Sequence, residues 1–122
     1  VGFSDCKLLG LHFDLCHEFL FAVKFERCTL NLSSFFNLKM KKTCFDHCVL
    51  HETDFAETDL TEAVFDHCDL MGAVFDNCNL EKADFRTAYN FTINPEKNNL
   101  RKARFSLSGL SGLLVQYELD ID

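Results

Sequence analysis

Large apolar residues recur at every fifth position along most of this chain, and that period restricts the fold more than any other feature. Leu30, Phe35, Met40, Phe45, Leu50, Phe55, Leu60, Phe65, Leu70, Phe75, Leu80 and Phe85 are twelve consecutive occurrences. A period of five fits neither a helix at 3.6 nor a strand at 2. Two residues before each lies a second, mostly small set: Cys28, Ser33, Leu38, Thr43, Cys48, Thr53, Thr58, Ala63, Cys68, Ala73, Cys78 and Ala83. A five-residue unit with two inward positions cannot enclose a core alone. It can if the chain turns a corner at every unit and closes a square after four.

Square coils require residues twenty apart to share a column, and the residue types obey this. Phe25, Phe45, Phe65, Phe85 and Phe105 form one column and Phe35, Phe55 and Phe75 the opposite one. Leu30, Leu50, Leu70 and Leu110 make a third, and Met40, Leu60, Leu80 and Leu100 the fourth. This reuse accounts for an aromatic content of 14 Phe, 2 Tyr and no Trp. At 122 residues the chain is one domain.

Segments such as Ala63-Val-Phe-Asp-His67, Ala73-Val-Phe-Asp-Asn77 and Ala83-Asp-Phe-Arg-Thr87 resemble the A-(D/N)-(L/F)-x-x unit of pentapeptide-repeat proteins. The resemblance covers nearly the whole chain. It implies an all-β fold: a right-handed quadrilateral β-helix over residues 1–106, its coils joined at the usual ~4.8 Å strand spacing. It says little about function, because a fold does not set what is grafted on it.

Two departures interrupt the register. Phe3, Leu8 and Phe13 precede Phe25, Leu30 and Phe35 by 22 residues rather than 20, which places a two-residue insertion within residues 16–22. That insertion reads as a corner loop or a recognition loop. Downstream, Asn90 and Pro95 fall where Leu and Phe belong, yet Leu100, Phe105 and Leu110 resume on count. Pro95 cannot donate to a ladder, so residues 88–99 are expected as an irregular loop in which Ile93 still points inward. A last coil exposes an apolar cross-section and needs a cap. Leu107, Leu110, Leu113, Leu114 and Tyr117 recur near helical spacing, so residues 107–122 are expected to carry a short capping helix. A partly exposed apolar cap favours two-fold dimerisation, and by resemblance the Qnr-type members of the family dimerise through their C-terminal ends.

Six of the seven cysteines (Cys6, Cys16, Cys28, Cys48, Cys68, Cys78) fall at the small inward position and read as reduced core fillers. Reduced thiols suggest a cytoplasmic protein. Cys44, His47, Cys48 and His51 have ligand-rich spacing, but the register turns Cys48 inward and the two histidines outward on different faces, so no metal site is assigned. There is no nucleophile elbow, phosphate-binding glycine loop or H-E-x-x-H helix, so neither catalytic residues nor a cofactor are expected. No apolar run is long enough for a membrane span, and the chain begins at Val1 without the charged n-region or cleavage site of a signal peptide.

A net charge of −7 disfavours direct nucleic-acid binding. The stretch from Asp46 to Glu81 has no Lys or Arg and holds Asp46, Glu52, Asp54, Glu57, Asp59, Glu62, Asp66, Asp69, Asp76 and Glu81, all at outward positions. The acids serve as a solubilising surface or recognise a basic partner. By resemblance, Qnr-type relatives are acidic rods held to imitate duplex DNA on type II topoisomerases such as gyrase, protecting gyrase from quinolones. The expectation is therefore a non-enzymatic interaction scaffold, with a topoisomerase-binding DNA mimic as the alternative.

Overall fold

The computed structural model describes residues 2–13 and 23–120. The chain winds as a square coil whose first face carries four short strands, β1 (Gly2–Ser4), β2 (Lys24–Glu26), β3 (Cys44–Asp46) and β4 (Val64–Asp66). They stack in parallel in chain order. The other faces contribute single parallel bridges such as Val49↔Asp69, Asp54↔Val74 and Asp59↔Asn79. From Lys24 onward every rung pairs residues twenty apart. The first rung pairs Phe3 with Phe25 and later ones pair Lys7 with Thr29 and His12 with Ser34, a step of 22. The insertion expected within 16–22 lies outside the described residues.

Each face exchanges two backbone hydrogen bonds with the coil on either side. The Leu50 N–H donates to the Asp69 carbonyl at 2.9 Å, and the Asp69 N–H donates back to the Cys48 carbonyl at 3.1 Å. This spacing sets the side-chain stacking. Phe45 and Phe65 stack at 5.0 Å between ring centroids and Phe65 and Phe85 at 4.9 Å, with planes within 10°. Across the interior the two Phe columns meet edge to face, as between Phe55 and Phe65 at 5.8 Å and 88°. Rings inside the columns thus have a partner above, below and opposite, the last in the geometry aromatic quadrupoles favour.

Corners are tight. In three of the four corner columns, and at Ala88 in the fourth, an N–H closes a turn onto the carbonyl three residues earlier, as from Ala63 to Leu60 at 2.9 Å and from Thr58 to Phe55 at 3.2 Å. The turn's third residue sits in the left-handed region, including Leu32, Glu52, Glu57 and Glu62 at φ between 55° and 62°. Gly72 is a steric requirement as well: a Cβ there would lie 2.9 Å from Cγ of Glu52.

Polar groups at the small inward position are satisfied by the neighbouring coil. Thr53 Oγ1 donates to the Leu30 carbonyl at 3.0 Å and Thr58 Oγ1 to the Phe35 carbonyl at 2.8 Å. Cysteine thiols make the equivalent contact where the turn bond is lacking: Cys48 to Phe25, Cys68 to Phe45 and Cys78 to Phe55, at 3.2, 3.2 and 2.8 Å. All six described cysteines are unpaired. A hydrogen bond with Cys48 and burial push the Cys68 thiol far up, and burial pushes Cys78 up to about 11. Cys68 and Cys78 are therefore protonated core groups at neutral pH.

At residues 88–99 the path leaves the square. Asn90 is exposed at φ 60°, and Phe91 turns inward to stand 5.7 Å from Phe85 and 5.6 Å from Phe105. It supplies the buried side chain that Asn90, exposed at the position the register turns inward, does not. Ile93 is fully buried, and the ladder is rejoined at the Asn79↔Asn99 bridge. The cap follows as two 3-10 helices, Leu107–Leu113 and Val115–Tyr117, with Ser106 Oγ accepting the Gly109 N–H at 3.1 Å. A 3-10 period of three aligns Gly109 with Gly112. Both press on Phe91: a Cβ would fall 3.1 Å and 2.8 Å from its ring.

Because Phe65 is fully buried among four rings, the cost of its loss is large. Phe65→Ala is expected to lower the unfolding free energy by about 3–5 kcal/mol, read from urea denaturation. Phe65→Leu, which borrows the residue of the alternate columns, is expected to cost less.

Candidate protein-binding surface

An aspartate or asparagine that immediately precedes a central residue bends its side chain onto the following corner. Asp54 Oδ1 accepts the Ala56 N–H at 2.9 Å, and Asp59 Oδ1 accepts the Thr61 N–H at 3.1 Å and its hydroxyl at 2.6 Å. Asp69 Oδ1 accepts the Met71 N–H at 3.2 Å. Asn79, Asp84 and Asn99 repeat the contact on Glu81, Arg86 and Arg101. These are Asx turns, in which a carboxylate substitutes for backbone. Asp54, Asp59 and Asp69 are thereby committed to shaping corners.

A second group is paired with histidine. His47 Nδ1 lies 2.6 Å from Asp46 Oδ1 and His67 Nδ1 lies 2.7 Å from Asp66 Oδ1; the imidazoles stack 4.7 Å apart, one coil over the next. His51 Nε2 meets Asp69 Oδ2 at 2.6 Å. Thr87 donates to Asp66 at 2.7 Å, and that bond, with the neighbouring His67 and His47, holds the Asp66 carboxyl below its ordinary value despite some desolvation. Burial alone would raise Asp69, but hydrogen bonds from His51, Asn90 and Met71 outweigh it and bring it below the ordinary value. Among the described residues no group of three or more His, Cys, Asp or Glu side chains is placed to hold a metal ion.

Glu52, Glu57 and Glu62 differ from all of these. They stand at three successive corners of one coil, all exposed and all left-handed. Their carboxylates make no hydrogen bond or ion pair among the described residues. Asp76 and Glu81 are half-buried beneath them, with backbone carbonyls that accept from Glu57 and Glu62. The ten acids therefore encircle the rod rather than forming one face. The sequence pattern weighted them equally, although position alone separates them: an acid directly before a central residue shapes a corner, and one two residues after it is free.

Cap residues are unevenly placed. Leu107 is 87% exposed, Leu110 and Tyr117 are partly exposed, and Leu113 packs against the core. No helix among the described residues is long and apolar enough to cross a membrane.

Residues 38–114 match the family model described as a pentapeptide repeat region. No curated protein matches the chain. Among solved structures, it is similar to HetL, a pentapeptide repeat protein involved in heterocyst differentiation regulation from the cyanobacterium Nostoc sp. strain PCC 7120. The TM-score is 0.53 at 20% identity, over 88% of this chain and 47% of HetL, so the chain spans about half that protein's length. Rfr23 from the cyanobacterium Cyanothece 51142 matches with a TM-score of 0.43 at 19% identity, over 87% of this chain and 88% of the other. QnrB1, a plasmid-mediated fluoroquinolone resistance protein, matches in a trypsin-treated form with a TM-score of 0.42 at 16% identity, over 99% and 82%. At 20% identity the likeness to HetL speaks to the fold alone: a pentapeptide-repeat β-helix.

The lowered carboxyls tie stability to acid. A group whose folded pKa lies below its unfolded value near 3.8 contributes stability above that value and loses it as pH falls through the folded pKa. Unfolding free energy is expected to hold level down to about pH 5 and fall below about pH 4, measured by denaturant titration across pH. Asp69→Asn is expected to be less stable at neutral pH and to show a shallower acid loss.

Proposed function

This chain belongs to the pentapeptide-repeat family, and we propose that within it the chain is a non-catalytic protein-interaction scaffold that presents carboxylates to a basic partner. One observation carries the reading: Glu52, Glu57 and Glu62 are exposed and unpartnered, while their neighbours Asp54, Asp59 and Asp69 are consumed by turns and histidine. Charges that do no internal work on a rigid frame are available to a partner, and their repulsion is relieved when it binds. Unpaired thiols in the core support a reducing, cytoplasmic setting.

A sharper form of the reading takes the partner to be a type II topoisomerase. It is favoured by the distribution of the acids around all sides of the rod between Asp46 and Glu81, as negative charge surrounds duplex DNA. One triple variant, Glu52→Lys with Glu57→Lys and Glu62→Lys, examines both forms. Lys42 and Lys82 already occupy the same corner conformation, so the fold is expected to tolerate it. The native chain is expected to capture basic proteins from lysate at low salt and release them at about 0.5 M salt, where screening is within a few Å. The variant is expected to capture none; equal capture by both overturns the scaffold reading. In a gyrase supercoiling assay with and without quinolone, the native chain at micromolar concentration is expected to alter activity and the variant to lose the effect. No effect of the native chain overturns the topoisomerase form.

The reading extends to a homodimer formed through the cap, supported by exposed Leu107 and partly exposed Leu110 and Tyr117. Leu113 and Leu114 would back that interface. Light scattering is expected to return twice the chain mass, and the single-chain mass for Leu107→Asp with Leu110→Asp. A single-chain mass for the native protein overturns the dimer.

A further inference from the structure

The second face of the coil, the one centred on Leu30, Leu50 and Leu70, ends one rung early. The Tyr89 N–H donates to the Cys68 carbonyl at 3.0 Å, and its own carbonyl accepts from the Leu70 N–H at 3.0 Å. Both Tyr89 groups therefore point back at the preceding coil. Across planar trans peptides the C=O and N–H are opposed, and there is no cis bond among the described residues. The Ala88 carbonyl and the Asn90 N–H must then point forward, to where a following coil would run.

By register the residue meeting them would be Gly109, twenty beyond Tyr89. Gly109 instead donates to the Ser106 carbonyl at 3.1 Å and belongs to the cap. Neither the Ala88 carbonyl nor the Asn90 N–H has a hydrogen-bond partner among the described residues. In place of the missing rung lies a groove of about 510 Å³ between this edge and the cap. Met71, Tyr89 and Val115, each about half exposed, supply its apolar walls, and Thr92, Ser108 and Ser111 its hydroxyls. Although the chain carries a net −7, no residue lining the groove is charged.

We propose that this groove binds an extended, uncharged peptide segment as an added parallel rung. One residue of the peptide donates its N–H to the Ala88 carbonyl and accepts the Asn90 N–H on its own carbonyl, reproducing what Tyr89 does with Cys68 and Leu70. An extended backbone presents that donor and acceptor together at the ladder spacing of ~4.8 Å. A charged ligand would lose its hydration against walls that hold no counter-charge. The side chain beside Tyr89 points outward along Met71 and Val115, which favours an apolar residue there. The site is separate from the glutamate corners and does not depend on them.

The test uses the intact chain and a fluorescently tagged pentapeptide, Ac-Thr-Val-Ser-Val-Thr-NH2, with anisotropy for binding and NMR hydrogen exchange for the contact. Saturable binding is expected below about 1 mM, with at least tenfold slower exchange of the Asn90 amide at saturation. Because a rung uses alternate amides, N-methylating both valines is expected to abolish binding, while N-methylating the serine and the last threonine is not. Val115→Arg and Met71→Arg, both at half-exposed positions, are each expected to weaken binding at least tenfold with an unchanged urea midpoint. The proposal is overturned by an absence of saturable binding, by equal tolerance of both methylation phases, or by unchanged Asn90 exchange in the complex. Unchanged affinity in a folded Arg variant overturns it as well.

Discussion

Everything in this protein depends on the backbone ladder that holds consecutive coils at strand spacing with residues twenty apart in register. Because the N–H of Leu50 and the carbonyl of Cys48 are both committed to Asp69 and its peptide, no coil can slip by a residue without turning its inward set outward. The ladder makes the Phe columns possible, since rings tied to successive rungs must stack at about 5 Å. It also explains why the interior tolerates cysteine and threonine. The donors of Ser33, Cys48, Thr53, Thr58, Cys68 and Cys78 each find the carbonyl of the corresponding central residue on the coil before, so their burial leaves them satisfied.

The surface follows from the same constraint. Most corners use a left-handed residue and, on many faces, a side-chain acceptor to close them. Those demands consume Asp54, Asp59 and Asp69 and leave Glu52, Glu57 and Glu62 with nothing to bind inside the molecule. An acidic composition therefore has two origins here, one architectural and one available for recognition. The distinction rests on position: Asp54, Asp59 and Asp69 stand directly before a central residue, and Glu52, Glu57 and Glu62 stand two residues after one.

Where the ladder stops, the molecule improvises. The displaced Phe91 and the two cap glycines pressed on it form a single plug, and the ladder edge at Ala88 and Asn90 is the part that the plug does not cover. Rod and end thus differ in kind: one side is charged and convex, and the end offers a neutral concavity with free backbone groups.

The five-residue period, the twenty-residue columns, the inward set and the step of 22 before Phe25 were legible in the chain, because each is a local rule repeated until no other fold accommodates it. The inward placing of Ile93 could be counted out from the same register. Phe91 could not, since the register points position 90 inward; that Phe91 takes the inward place instead is decided only where it meets Phe85 and Phe105. Nor could the cap's 3-10 form, which follows from Gly109 and Gly112 meeting Phe91 at a period of three rather than from leucine spacing. Sequence alone determined the coil, because repetition makes each contact predict the next. Only tertiary structure decided the end of the rod and the fate of each carboxylate, because those depend on what a neighbouring coil leaves unfilled or unpaired.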